Sequence, residues 1–417
     1  MCGGWRIRWT RWSRIGNRAR GALLALVLAA LALAGCGSDG GSNDRHQPSL
    51  AAGRKVFVSA GCGGCHTLSA AGTHGDVGPN FDSSERLTVA QIRRQLNLGI
   101  AGMPSFRDRL TRRQQADVAA FVAAAMRRRK PPARLRVKPT GRLPAPVQLP
   151  AAAPLPDGRA LLLGGLDAGD ASVPAIVAAS GTSARDVGSL PVALHDAAAA
   201  TIGPRVYFFG GGSASGSSAE IRAVEPSGSS RPDGQLPAAA SDVEAATVAG
   251  TAYVVGGYTG SAGLRSIVAF RPGAGAHVVA QLPRPLRYAA VAAIGGRLVI
   301  AGGTSGVESQ QAILGFDPAT RRVTTLGRLP YPLTHASAAS LGGVVYVVGG
   351  RVGTSGDQTS AILAVDPATG AVRRAARLPE PLSDTAAVTS GESVMILGGR
   401  DSAGQASDRI STLAASP

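Results

Sequence analysis

The stretch Tyr346-Val347-Val348-Gly349-Gly350, YVVGG, decides the larger part of this chain because it is one of a set. Outward from it, LLLGG ends at Gly165, YFFGG at Gly211, YVVGG at Gly257, VIAGG at Gly303 and MILGG at Gly399. The closing glycines stand 46, 46, 46, 47 and 49 residues apart. The apolar runs are strand-length and β-rich, and six copies at this period predict a β-propeller rather than a stack of helix pairs.

Each copy carries a second marker. Leu190, Leu236, Leu282, Leu329 and Leu378, all followed by proline, lie 21 residues before the second glycine of their repeat. All length variation therefore falls after the glycines, in one type of loop on one face. The chain has one further strand after the sixth double glycine, Arg409 to Ala414, while RLRVKPTGRLP from Arg134 resembles GAVRRAARLP from Gly370, the outer strand of another copy. The N-terminal stretch is thus expected to complete the last blade and pair its open edge. Six residues after each repeat's leucine, at the expected start of the innermost strand, stand Asp196, Asp242, Tyr288, His335 and Asp384. They are expected to ring one channel mouth, either as a hydrated lining or as a binding site.

The repeats resemble kelch repeats, and FDPATRRV from Phe316 and VDPATGAV from Val365 strengthen the likeness. The tyrosine and tryptophan usual after the kelch double glycine are missing, with Tyr258 an isolated remnant.

Ahead of the repeats, residues 48–126 have helical periodicity. Ser49 can cap a helix with Leu50, Gly53, Val56 and Phe57 on one face. Thr88 with Gln91 and Thr111 with Gln114 read as capping boxes, the first before Val89, Ile92 and Leu96, the second before Val118, Phe121, Val122 and Ala125. Cys62-Gly63-Gly64-Cys65-His66 follows the first helix. This spacing lets two thiols reach the two vinyl groups of one haem while the next residue offers an imidazole to its iron. A zinc half-site lacks its second ligand pair, and a thioredoxin-like pair lacks its flanking strand and helix. One covalent haem c is the expected cofactor, and it would supply core that so short a helical segment lacks.

The segment resembles a small bacterial class I cytochrome c over nearly all of residues 48–126. The likeness rests on the haem motif, VGPNF from Val77, GMPSF from Gly102 and the terminal helix. It implies that Pro79 supports the histidine side of the haem, that Met103 is the second axial ligand beside His66, and that Gly53 and Phe57 cross the last helix opposite Phe121. Of the other methionines beyond the export signal, Met126 ends a helix and Met395 lies in the repeats.

The first thirty-five residues carry six arginines, no acid and an apolar run from Ala22 to Ala34. That is an export signal, too short to span comfortably. Leu33-Ala34-Gly35-Cys36 resembles a lipobox, implying lipidation at Cys36, with an ordinary signal peptide or an uncleaved anchor as the alternatives. The domain plan is a signal at 1–35, a flexible tether at 36–47, a cytochrome c domain at 48–126, a basic proline-containing linker at 127–133 and a six-bladed kelch-like propeller at 134–417.

The formal net charge of +17 falls to +11 without the signal, and eight cations of the remainder lie between Arg127 and Arg142. No aromatics accompany that run and the chain is exported, so nucleic acid is not expected as a partner. The run reads as a solvated linker or as an attraction to anionic headgroups. The expected function is a membrane-anchored extracytoplasmic electron carrier serving a redox partner protein, with the propeller as a docking or ligand-binding module. The alternative is an oxidoreductase whose propeller holds the substrate and feeds the haem.

Overall fold

The computed structural model describes residues 47–75, 77–79, 81, 84, 87–99, 103–126, 134–353 and 355–416. The export signal, Cys36, nearly all of the tether and the linker 127–133 lie outside the described residues, as do Asn80 and Gly102 of the two short motifs. No helix among the described residues is long and apolar enough to cross a membrane.

Three helices form the first domain: α1 at Leu50–Ser59, α2 at Val89–Leu98 and α3 at Arg112–Ala125. Both capping boxes are formed. The Thr88 and Thr111 hydroxyls accept from the backbone N–H of Gln91 and Gln114, whose side chains accept in return from the cap backbone. Helix α1 buries Gly53, Val56 and Phe57, while Leu50 is half exposed and does not share that face. Gly53 sets the crossing with α3, since a Cβ there would lie 2.1 Å from the Asp117 carbonyl oxygen and 2.6 Å from Cβ of Phe121. With the backbones that close, Phe57 meets Phe121 edge to face at 6.0 Å.

The rest of the described chain forms six four-stranded antiparallel sheets besides shorter hairpins. The fourth is typical, running Ala290–Ile294, Arg297–Ala301, Ala312–Asp317, Arg322–Arg328 from inside outward. The sixth combines Ala386–Ser390, Ser393–Leu397 and Arg409–Ala415 with Leu135–Arg142 as its outer strand. In that pair Leu135 faces Ala415 and Arg142 faces Arg409, with a bulge between Pro139 and Gly141. The innermost strands of neighbouring sheets touch in cyclic order, the sixth returning to the first. Apolar clusters fill the gaps between sheets. In one of them Leu162 and Ala160 of the first sheet pack with Met395, Leu397 and Ile410 of the sixth.

The double glycines make these junctions. The first of each pair has φ between 59° and 66° and the second between 91° and 114°, conformations that L side chains seldom adopt. A Cβ on the first would come within 2.1 to 2.4 Å of a carbonyl oxygen on the next sheet. That same oxygen accepts from the second glycine's N–H. The bonds run from Gly165 to Leu194 at 2.9 Å, and from Gly211 to Ala240, Gly257 to Leu286, Gly303 to Leu333, Gly350 to Leu382 and Gly399 to Val147 at 2.8 Å. Every acceptor stands four residues after the leucine of a Leu-Pro pair.

This predicts a sharp contrast between two glycines of one repeat. Gly256 and Gly260 both have positive φ, but a Cβ at Gly256 meets Leu286 O at 2.1 Å whereas one at Gly260 meets nothing within 4 Å. Gly260→Ala should cost about 1–2 kcal/mol from its backbone alone. Gly256→Ala should cost roughly 1–3 kcal/mol more, because it also forces two sheets apart. Denaturant midpoints of the propeller transition measure both.

Candidate functional site

Two sites emerge, one in each domain. In the helical domain, Cys62–Gly64 forms a single 3-10 turn, and His66 N–H donates to Cys62 O at 3.0 Å. Gly75 lets the returning loop press on this turn, since a Cβ there would sit 2.7 Å from Gly63 O. The His66 side chain is held on three sides. Its Nδ1 pairs with the Pro79 carbonyl at 2.9 Å, its ring stacks on Phe81 at 4.4 Å and 16°, and a Cβ on Gly78 would lie 2.5 Å from its Cε1. A carbonyl can only accept, so Nδ1 carries the proton and Nε2 keeps its lone pair for a metal.

Cys62 and Cys65 are free thiols, and burial pushes the Cys62 thiol above its ordinary value. Met103 packs against the same apolar cluster as Cys62, Phe81 and Leu87. Its segment is tied to the end of α2 by Phe106 N–H donating to Leu96 O at 2.7 Å and the Ser105 hydroxyl donating to Asn97 O at 2.8 Å. Gly99 permits this closeness, as a Cβ there would lie 2.7 Å from Met103 O. Two thiols, an imidazole with a free Nε2 and a thioether around one apolar cluster fit a haem of the c type.

The second site is the mouth of the propeller channel. Asp196, Asp242, Tyr288, His335 and Asp384 line one cavity of about 40 Å³, together with Glu244 and Leu149. The five are not strand residues, as the spacing suggested. The inner strands begin two residues later, at Ala198, Glu244, Ala290, Ser337 and Ala386, and the five have φ between 50° and 59°. Leu149, six residues after Leu143-Pro144, has φ 54° and is the sixth member. Aspartate tolerates this conformation, whereas a leucine or tyrosine there stores strain. The reward is a backbone girdle. Leu149 N–H donates to Asp384 O at 2.9 Å, Asp384 N–H to His335 O at 3.0 Å and His335 N–H to Tyr288 O at 3.1 Å, with longer contacts of 3.4 Å from Tyr288 to Asp242 and from Asp196 to Leu149.

The left-handed turn aims these side chains at one another. Tyr288 stacks on His335 with ring centres 3.8 Å apart, and its hydroxyl donates to Asp196 Oδ2 at 3.4 Å. Arg287 pairs with Asp242 and lies over the Tyr258 ring at 3.9 Å. Arg351 donates to Asp384 Oδ2 at 2.6 Å, leaving Asp384 Oδ1 buried without a partner. Among the described residues Asp196 has an ion-pair partner only in His195, whose Nε2 lies 3.8 Å from its Oδ2 and which burial disfavours as a cation. Burial, then the charges of Asp242 and Asp384, hold its carboxyl well above the usual range, and the Tyr288 bond offsets only part of this. Burial pushes Glu244 up to about 8 and lowers His335 to about 4, so near neutrality both are uncharged.

Sequence reasoning brought five of these residues together and missed Leu149, Glu244, Arg287 and Arg351. The Leu143-Pro144 pair would have found Leu149. Nothing in the sequence separates Arg287 and Arg351 from other arginines. A larger hollow of about 420 Å³ beside the fourth sheet has polar groups that satisfy each other, Arg284 with Glu308 at 3.8 Å and Arg328 with Gln311 at 2.8 Å.

Glu244 sets a pH test. Its folded value lies above the ordinary 4.5, so its contribution to stability is full below that value and is lost as pH rises towards about 8. Glu244→Gln should therefore gain melting temperature relative to the parent as pH rises from 5 to about 8, with the difference levelling off beyond. Thermal scans of both proteins across that range check it.

Residues 48–122 match the family model described as cytochrome C oxidase, cbb3-type, subunit III, and residues 332–379 match the Kelch motif. No curated protein sequence matches the chain. Among solved structures it is similar to one titled "Structure of YjhT", at 14% identity and a TM-score of 0.57, covering 66% of this chain and 97% of that one. At that identity the likeness shows the kelch-type propeller fold alone. The chain thus joins a cytochrome c domain to a propeller.

Proposed function

We propose that this protein carries single electrons through one haem c, attached by thioether bonds at Cys62 and Cys65 with His66 and Met103 as axial ligands, and that it works outside the cytoplasm, tied to the cell membrane by lipid on Cys36. The cytochrome c domain implies the cofactor, and its fusion to a propeller marks an electron-transfer haemoprotein. One observation carries the ligand assignment: the His66 ring is fixed by Pro79, Phe81 and Gly78 so that Nε2 alone is left to coordinate.

Haem c, when bound, supplies a one-electron iron couple, and a thioether ligand raises its potential. The protein's part would be to offer His66 and Met103 as ligands and to keep water out. His66 keeps its proton on Nδ1 against Pro79 O, which fixes ring orientation whatever the charge on the metal. Phe57 and Leu68, both essentially inaccessible, line the apolar cluster that Met103 joins. A haem held by both His66 and Met103 would leave no site for oxygen and would supply single-electron transfer.

The propeller serves in this reading as a docking or ligand-binding module. The other reading, a catalytic propeller delivering substrate electrons to the haem, would place chemistry at the channel mouth among Asp196, Asp242, Tyr288, His335 and Asp384. Cofactor content separates the two: holoprotein containing haem c alone supports the carrier, and a bound quinone or further metal supports the enzyme.

Met103→Ala should keep covalent haem on a denaturing gel yet lower the potential and let the reduced protein bind carbon monoxide. An unchanged spectrum with no carbon monoxide binding would assign the sixth ligand elsewhere. Cys36→Ser should move the protein from the membrane to the soluble fraction with its haem intact, because anchoring and haem attachment use different cysteines. Membrane retention of that variant after a high-salt wash would mean the chain is held by an uncleaved signal.

A further inference from the structure

The outermost strand of each sheet meets solvent along one edge and needs only to be polar. In the first three sheets these strands are close to neutral. Ala184–Ser189 carries Arg185 and Asp186, Ser230–Gln235 carries Arg231 paired with Asp233 at 3.2 Å, and Gly275–Gln281 holds no Lys, Arg, Asp or Glu. The other half of the rim is different. Val372–Arg377 carries Arg373, Arg374 and Arg377, Leu135–Arg142 carries Arg136, Lys138 and Arg142, and Arg322–Arg328 begins and ends in arginine, with no acid on any of the three.

These cations form one surface. All of them are exposed. The strand Val372–Arg377 contacts Leu135–Arg142, and on its other side the Gly370 turn lies against the fourth sheet's outer strand, where a Cβ on Gly370 would be 2.0 Å from Leu326 O. The acids nearby are engaged. Asp408 holds Arg142, Glu380 holds Arg409, Asp366 accepts from its own turn at Ala368 N–H, and Asp317 does the same at Ala319 N–H while facing Arg322 across the strands. Among the described residues, Arg373, Arg374, Arg377, Arg136 and Lys138 form no ion pair, so the charge is uncompensated.

The surface also lacks what a protein partner needs. A protein interface is organised around a desolvated apolar or aromatic centre, and none of the large apolar side chains that the described residues expose lies on these three strands. A bilayer of anionic headgroups requires only cations spread over an area. The basic residues Arg127 to Lys130 lead into the same edge strand.

We infer that this half of the propeller rim lies against an anionic lipid surface, so that the propeller is held to the membrane by its own face as well as by its N-terminal attachment. The inference extends the proposed membrane location, and its test does not depend on lipidation.

The full-length Cys36→Ser holoprotein, which cannot be anchored by that residue, is sedimented with vesicles of phosphatidylglycerol and phosphatidylcholine and with vesicles of phosphatidylcholine alone. Binding is expected to the first only, and to fall with added salt. Arg373→Glu/Arg374→Glu/Arg377→Glu in that background should weaken it by more than about a hundredfold, since losing three cations near the surface at roughly fivefold each already gives that much and the added carboxylates repel the headgroups. Arg185→Glu/Arg231→Glu on the neutral half should change it less than about threefold. The run at Arg127–Lys130 stays intact throughout. If charge reversal lowers the propeller melting temperature, the triple Arg→Gln variant is used instead and should still weaken binding more than tenfold by the same arithmetic. Equal binding to both vesicles, equal losses in the two variants, or no loss in either would overturn the inference. So would failure to sediment with anionic vesicles alongside salt-sensitive retention on immobilised polyglutamate, which would point to an acidic protein instead. Failure of the Cys36 reading shows separately, as membrane retention of the Cys36→Ser protein in cell fractions that survives a high-salt wash, since rim binding is released by salt.

Discussion

The propeller depends on one hydrogen bond made six times, from the N–H of the second glycine in each pair to a carbonyl on the following sheet. It can form only if the two backbones approach more closely than a side chain would allow, so the preceding position must be glycine as well. That requirement explains why the double glycine is the least variable part of the repeat. The acceptor lies four residues after the repeat's leucine, and two residues further on the chain turns left-handed and enters the innermost strand. The junction therefore also fixes where the polar side chains of the channel mouth stand. Architecture and candidate site share a cause, and the glycine junctions set both.

The helical domain relies on a different closeness. Gly53 brings α1 onto α3, Phe57 fills the crossing, and the loop behind Cys65 returns over the turn through Gly75 to present Pro79, Phe81 and Gly78 to His66. Little of this segment is regular structure, and much of its ordering is spent on holding one imidazole.

Much of this was legible in advance because local chemistry dictates it. The capping boxes at Thr88 and Thr111, the haem motif at Cys62 to His66 and the period of the double glycines each express a short-range rule. The channel residues were found by counting from the leucines, yet their conformation was misjudged. An aspartate before an apolar run reads as the start of a strand, and nothing local announces that Asp196 or Tyr288 is held at positive φ by a bond to a neighbouring sheet. Leu149 was missed since a leucine in that position carries no polar signal. The pairings of Arg287 with Asp242 and Arg351 with Asp384, and the exposure of Leu50, belong to tertiary contacts that one sequence does not display. The cationic rim was half visible, in the basic residues from Arg134 to Arg142. Its continuation onto Arg373 to Arg377 needed the sheet order.

The outer strand of the sixth sheet comes from Leu135–Arg142 and its partner from Arg409–Ala415, so contacts such as that between Thr140 and Thr412 join residues 272 apart in sequence. A chain made and threaded from its N-terminus exposes the first strand long before the second arrives. During that interval the edge must avoid every other strand that could add to it. Pro139 withholds a donor and Arg136 and Lys138 repel a like edge, which is how open strands are kept single. Loop closure over such a span is entropically slow, and the ring cannot lock until its last strand has emerged. The helical domain draws all of its elements from one short stretch of chain, so its contacts are local and do not wait for that closure.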